Sequence, residues 1–258
     1  MFSYMTLGKN GQLGNQMFQY AALYGLGFLR GEKIQIPETG HDLLEAFPNI
    51  SATISNTQTS NKVYQEPVFQ FDGNLWLVPP EHDIFGYFQS SNYFAHCAKD
   101  IYNEFEFRKD IQQRAQDIRD DVGGDNVCTL HFRRKDYLDL QDYHHNQSSE
   151  YYNKGVNLVQ NSYPNTSFIA LSDDVDWCKE NLPPEITVID TRDQGSDSKF
   201  IDMCLMSKCQ MHIIANSSFS WWGAFLSRSN GVIAPSEWFG SRGPKEWESV
   251  YVPGWTKL

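Results

Sequence analysis

The chain has 258 residues, enough for one large domain or two small ones with a real core. Its apolar and charged fractions, 40% and 21%, are those of a folded globular protein rather than a disordered one. A formal net charge of -11 repels polyanions and speaks against nucleic acid or an anionic membrane surface as a partner, yet it leaves room for a small anion in a local basic pocket.

In chain order, residues 2–7 read as a strand, a loop carrying Gly8, Gly11 and Gly14 follows, and residues 15–30 read as a helix with Met17, Tyr20, Ala21, Tyr24 and Phe28 at helical spacing. Strand, glycine loop and helix open an α/β unit. Residues 33–37, KIQIP, form a second short strand. The stretch 38–80 is rich in Ser, Thr, Asn and Gln and shows no period. Residues 84–94 look like a strand running into a helix, and the polar helix that starts at Arg108 ends at Gly123 and Gly124, a candidate link between halves. The second half alternates plainly: strands at 127–132, 167–171, 186–189, 211–215 and 232–234, with helices at 150–161, 175–181, 199–207 and 219–226. That alternation predicts a parallel, doubly wound sheet.

Five cysteines (Cys97, Cys128, Cys178, Cys204 and Cys209) form no C-x-x-C pair, which favours reduced buried thiols over a zinc site or a disulfide framework. The N-terminus lacks a basic segment followed by an apolar core, and no apolar run is long enough to span a bilayer, so a soluble, cytosolic protein is expected.

Chemistry concentrates in four segments. VCTLHFRRKDY places His131, Arg133 and Arg134 where a buried strand ends, the edge at which open parallel sheets bind ligands. Arginine's planar fork suits phosphate oxygens and keeps its charge, so a pyrophosphate is a natural partner, with Asp136 able to orient one guanidinium. The alternative is a surface cluster paired with Asp136 and Asp139. GKNGQLGNQ offers glycines before a helix, in neither the G-x-G-x-x-G nor the Walker spacing. ANSSFSWWGA supplies Asn216, Ser217 and Ser218 at a helix start, more capping groups than one helix needs. In LSDDVDW, Asp174 and Asp176 have the D-x-D spacing with which some sugar transferases hold a metal, but Ser172 as a cap, with acids in the first turn, explains them better. His144 and His145 are too isolated for a metal site, and none is expected.

Together GQLGNQMFQYAALYGL, FGYFQSSNYF, HFRRKDY, SDDVDW and IIANSSFSWWGAFLS resemble, in this order, the segments of glycosyltransferase family 11, the α-1,2-fucosyltransferases that use GDP-fucose. The likeness runs from about Gly8 to Trp238. It implies a GT-B fold of two Rossmann-like halves facing across a cleft, an acceptor-side half at residues 1–108 and a GDP-fucose-binding half at 109–258. It also implies inverting transfer of fucose to O2 of a terminal β-galactoside, with no cofactor and no metal. By the match Arg133 is the principal phosphate ligand. His131 and Asp136 shape the site, Arg134 supports it, and Asn216, Ser217, Ser218 and Phe219 line the donor pocket. Gly14 and Asn15 approach donor or acceptor from the first half. Lys135 stands where the family usually has glycine, and Phe132 where a branched aliphatic is usual. No carboxylate stands out as the general base; Asp136 is a candidate. The alternatives are a relative using another GDP sugar or acceptor, and an inert carbohydrate-binding protein on the same scaffold.

Overall fold

The structure, a computed structural model, describes every residue except Thr59, Asp136, Leu138, Asp139 and Gln141. The described residues form two compact units: Met1–Arg108 with Glu246–Val252, and Lys109–Lys245 with Pro253–Leu258.

The first unit holds a parallel sheet of β1 (Phe2–Ser3), β2 (Ile34–Ile36), β3 (Thr53–Ile54), β4 (Val63–Gln65) and β5 (His82–Phe85), in the order β3-β2-β1-β5-β4. The expected first strand stops at Ser3, because the Met5 N–H donates to the Asp83 carboxylate instead of to a neighbouring strand. Helix α1 (Leu13–Arg30) is buried along most of its length and ends on Gly31, in the left-handed conformation, whose N–H returns to Gly27 and Phe28 carbonyls. A side chain at Gly25 would strike the Tyr93 carbonyl, so glycine is what lets α1 lie this close to its neighbour. Phe28, expected on the apolar face, is exposed. The stretch 38–80 contains α2 (Leu43–Ala46), β3, β4 and a 3-10 turn at Gly73–Leu77. Its strands are only two or three residues long and mostly exposed, which is why no period marks them. No helix follows β5 directly. The chain turns through Phe88 at φ 52°, with the Glu66 carboxylate accepting from the Tyr87 and Phe88 N–H groups, and makes a single 3-10 turn at Ser91–Tyr93. Segment 246–252 is tied to this unit by Ser249, which accepts from Phe71 N and donates its own N–H to Gln70.

The second unit is the expected parallel, doubly wound sheet. Its strands are β6 (Asn126–Phe132), β7 (Thr166–Ser172), β8 (Ile186–Val188), β9 (Met211–Ile213), β10 (Gly231–Ala234) and β11 (Thr256–Lys257), in the order β11-β10-β9-β6-β7-β8. The helices are α4 (Lys109–Val122), α5 (Ser149–Ser162), α6 (Val175–Asn181), α7 (Ser198–Ser207) and α8 (Ser218–Leu226); α3 (Ala98–Glu104) belongs to the first unit. The polar helix read as a link is α4, which packs on α7 through its few apolar residues, Ile111 and Ala115 among them. All five cysteines are buried and free. Among the described residues no helix is long and apolar enough to cross a membrane.

Two adjacent tyrosines hold α5 on the sheet. Tyr151 Oη donates to the Ile214 and Ile233 carbonyls at 2.7 and 3.1 Å, and Tyr152 Oη donates to the His131 carbonyl at 2.8 Å. Gly155 on the same helix lies against Ile213, where a Cβ would come within 3.0 Å. Tyr151→Phe removes only the hydroxyl, whose proton is shared between the two carbonyls, so it should lower stability by about 1 kcal/mol and the melting temperature by about 2–4 °C, read by thermal melts of the two proteins.

Candidate functional site

In an open parallel sheet the chain can leave a central strand in both directions, and a crevice opens at the carboxyl ends where it does. In the second unit that place lies between β6 and β9: from β6 the chain runs to β7 and β8 on one side, then returns to β9 and β10 on the other. The residues leaving β6 are His131, Phe132, Arg133 and Arg134, and those leaving β9 are Ile214 to Phe219.

His131 is 4% exposed and stacks on the Phe219 ring, centroids 5.4 Å apart. Its Nδ1 is buried and has no hydrogen-bond partner among the described residues. Burial, then the neighbouring Arg133 charge, pushes its pKa down to about 3, so the imidazole is neutral at physiological pH.

The arginines are balanced by the turn after β7. Asp173 Oδ2 lies 3.3 Å from Arg133 Nη1, and Asp173 Oδ1 accepts the Arg134 backbone N–H at 2.9 Å. Arg134 Nε donates to Asp174 at 3.4 Å, and its guanidinium sits 3.6 Å over the Trp177 ring. Arg133 lies over the Tyr137 ring at 5.7 Å. Asp136 and Asp139 lie outside the described residues, and Asp173 and Asp174 provide the counter-charges. Their signal in the sequence was the run SDD directly after a strand.

The assignment of Ser172 as helix cap is corrected. Asp174 is the cap of α6, accepting from Trp177 N, while Ser172 Oγ accepts from Asp174 N and donates to the Phe132 carbonyl. Asp176 faces away into an exposed network with Arg192, which also binds Asp190. Among the described residues no group of three or more His, Cys, Asp or Glu side chains could hold a metal ion.

At the start of α8, Ser217 caps the helix by accepting from Phe219 N, and Ser220 donates back to the Ala215 and Ser217 carbonyls. Ser218 is half-buried at the first position of the helix. The Asn216 side chain is held at both ends: Nδ2 donates to Trp238 O at 2.7 Å and Oδ1 accepts from Gln147 at 3.2 Å. One buried carboxylate that no motif marked, Asp202, accepts from the Thr191 hydroxyl, and burial raises its pKa to about 7.

Gly14 and Asn15 belong to the first unit, in the first turn of α1. There the chain reverses between β1 and β5. Gln89 donates to Asn15 Oδ1 at 2.8 Å, and Gln19 donates to the Asn10 and Gly86 carbonyls. Gly11 is held against Asn15 at φ 95°, where a Cβ would overlap the Asn15 side chain.

Asp174 thus serves both a helix cap and an ion pair. Asp174→Ala should cost about 1–2 kcal/mol of stability, and Asp174→Asn, which keeps a capping oxygen, distinctly less, measured by urea unfolding of the three proteins.

A family model described as Glycosyl transferase family 11 matches residues 2–258. Alpha-1,2-colitosyltransferase of Escherichia coli is 29% identical over 268 residues, covering 89% of this chain and 90% of that protein. Galactoside alpha-(1,2)-fucosyltransferase 2 of Mus musculus is 26% identical, covering 88% of this chain and 69% of that one. Among solved structures, fucosyltransferase NodZ from Bradyrhizobium superposes with a TM-score of 0.58 at 13% identity, covering 87% of this chain and 93% of that one. POFUT1 in complex with GDP superposes with a TM-score of 0.56 at 11% identity, covering 90% and 96%. At those identities the structures speak for the fold alone, which is the GT-B type with two Rossmann-like α/β halves. The match to the family model extends over nearly every residue, and the chain belongs to glycosyl transferase family 11.

Proposed function

We propose that the protein is an inverting α-1,2-fucosyltransferase that moves L-fucose from GDP-β-L-fucose to O2 of a terminal β-galactoside without a metal ion. The observation that carries this reading is the cationic cluster at the β6–β9 crevice. There Arg133, the neutral His131 and the N-terminus of α8 stand at one sheet edge. A diphosphate is the leaving group such an edge suits: guanidinium and helix N–H groups both favour developing negative charge.

In the reaction, acceptor O2 attacks fucose C1 on the face opposite the diphosphate. The C1–O bond to the β-phosphate breaks, GDP leaves with the electron pair, and β becomes α. The O2 proton must be taken up as the bond forms. Asp136 is the candidate acceptor for it and lies outside the described residues. Arg133 carries the charge that accumulates on GDP, the task a metal performs in D-x-D transferases. His131 Nδ1, buried without a partner among the described residues, is assigned to the donor as a neutral hydrogen-bonding group. Arg134, stacked on Trp177 and paired with Asp174, supports the turn. The N-terminus of α8, with Ser217, Ser218 and Phe219, is assigned to the donor side. The amide-lined loops of the first unit, with Gly14 and Asn15, suit sugar hydroxyls and are assigned to the acceptor side.

The second reading keeps the site and changes the sugar, since a relative at 29% identity is named a colitosyltransferase. Incubation with GDP-fucose and a panel of β-galactosides, with product linkage read by NMR, decides the matter. An α-1,2-fucosylated galactoside is expected. Turnover confined to another GDP sugar would establish the second reading.

Two outcomes follow from the arginine-based site. GDP should raise the melting temperature in the presence of EDTA, and stabilisation that appears only with added Mg²⁺ or Mn²⁺ would defeat the metal-free mechanism. Arg133→Ala should lower kcat about a hundred- to thousandfold and raise donor KM, and Arg133→Lys should recover only part because the ammonium lacks the planar fork. Near-normal steady-state kinetics in Arg133→Ala would remove this residue from the mechanism.

A further inference from the structure

Arg133 has a carboxylate partner on one side, Asp173, at 3.3 Å. Charge stabilisation depends on where the guanidinium sits. The structure supplies a second restraint. The Arg133 guanidinium lies over the Tyr137 ring, 5.7 Å from its centroid. That ring is itself fixed: it is buried, lies parallel to the His144 imidazole with centroids 4.3 Å apart, and its hydroxyl donates to the Asn216 carbonyl at 2.9 Å. Asn216 in turn cannot shift. Its Nδ2 holds the Trp238 carbonyl in the loop after β10, and its Oδ1 holds Gln147, whose amide also reaches the Glu237 carbonyl. The loop after β6 is further laced to the loop after β10 by the Gly240 N–H on Tyr143 O and the Arg242 N–H on Asp142 O. One asparagine therefore ties together the loops that follow β6, β9 and β10, and one tyrosine links that knot to the arginine.

We infer that Tyr137 and Asn216 are positioning residues for the transfer, a relay that runs from the knot of loops through the Tyr137 ring and sets the place of the Arg133 guanidinium. Its functional consequence rests on the reading of Arg133 as the diphosphate ligand. The relay gives the asparagine of the Asn-Ser-Ser run a task other than touching the donor: every hydrogen-bonding atom of its amide that the structure engages faces protein. It also explains why a tyrosine, rather than any apolar residue, stands at 137: the ring alone would fill the space, but only the hydroxyl anchors it.

The test is a double-mutant cycle on GDP affinity, joined to a spectroscopic reading of Arg133 itself. Tyr137→Phe removes only the anchor, and Tyr137→Leu removes the ring as well. GDP dissociation constants by titration calorimetry should rise about three- to tenfold in Tyr137→Phe and further in Tyr137→Leu. Asn216→Ala should move in the same direction. In an Arg133→Ala background the same substitutions should change affinity less than twofold, because they act through the missing side chain. In ligand-free ¹⁵N-labelled protein, the Arg133 Nε–H resonance should shift in Tyr137→Phe. An unchanged resonance, or equal losses of affinity with and without Arg133, overturns the relay. Unchanged GDP affinity in Arg133→Ala overturns the diphosphate reading instead, and the resonance then decides the relay on its own.

Discussion

The carboxyl edge of the second sheet depends on one balance of charge. Two arginines leave the buried strand β6 side by side, and two aspartates leave β7 beside them. A guanidinium that is four-fifths buried without a carboxylate nearby would cost several kcal/mol, so the turn after β7 is what permits the cluster to exist. The two arginines are treated differently. Arg134 is enclosed by Asp174 and the Trp177 ring, which makes it part of the scaffold. Arg133 is restrained by Asp173 and Tyr137 at the end of the strand, where a ligand's charge can meet it.

Around that balance the interior is built from neutral polar groups with defined roles. His212 on β9 is fully buried, and burial holds its pKa down near 3. Ser227 Oγ donates to the Ala224 carbonyl, so it accepts from His212 Nε2–H at 2.9 Å, and the Thr129 hydroxyl donates to His212 Nδ1 at 2.8 Å. Both nitrogens are satisfied, which marks this histidine as structural. His131, two residues on from Thr129 and equally buried, has an Nδ1 with no partner among the described residues. Two buried histidines on neighbouring strands are thus told apart by hydrogen bonding: one is complete within the protein and the other is left open.

The same topological device occurs in each unit with different chemistry. In the first unit the reversal between β1 and β5 brings together Tyr4, Gln19, Gln89 and Asn15; Tyr4 Oη donates to the Gly86 carbonyl and accepts the Gly86 N–H. The polar side chains there include amides and a hydroxyl beside the Asp83 and Glu66 carboxylates, which are taken up by backbone N–H groups, whereas the second unit's edge carries two arginines. Neutral donors and acceptors suit hydroxyl-rich ligands, and guanidinium groups suit phosphate.

Much of this was legible in the residues alone, and the reasons differ from element to element. The strands and helices of the second unit, the exposed two-residue β11 apart, were readable because burial on both faces forces continuous apolar runs such as 127–132, bounded by capping and glycine signals. The arginine cluster was readable because charge at the end of such a run has no local explanation. The edge strands β3 and β4 were not, since two or three exposed residues carry no period. Partners across the fold were hidden as well. Asp136 and Asp139, suggested by sequence proximity, lie outside the described residues, while Asp173 and Asp174 reach the arginines only because parallel pairing of β6 with β7 sets Phe132 opposite Ser172. The role of Asn216 likewise appears only once three strands end at one edge, because its partners are 22 and 69 residues away. The sequence by itself determined the family, the layered α/β plan and which side chains carry charge, all of which depend on local pattern. Only the tertiary structure decided which groups neutralise, cap or position one another, because those relations are made by strand register and crossover, which bring distant segments to a common edge.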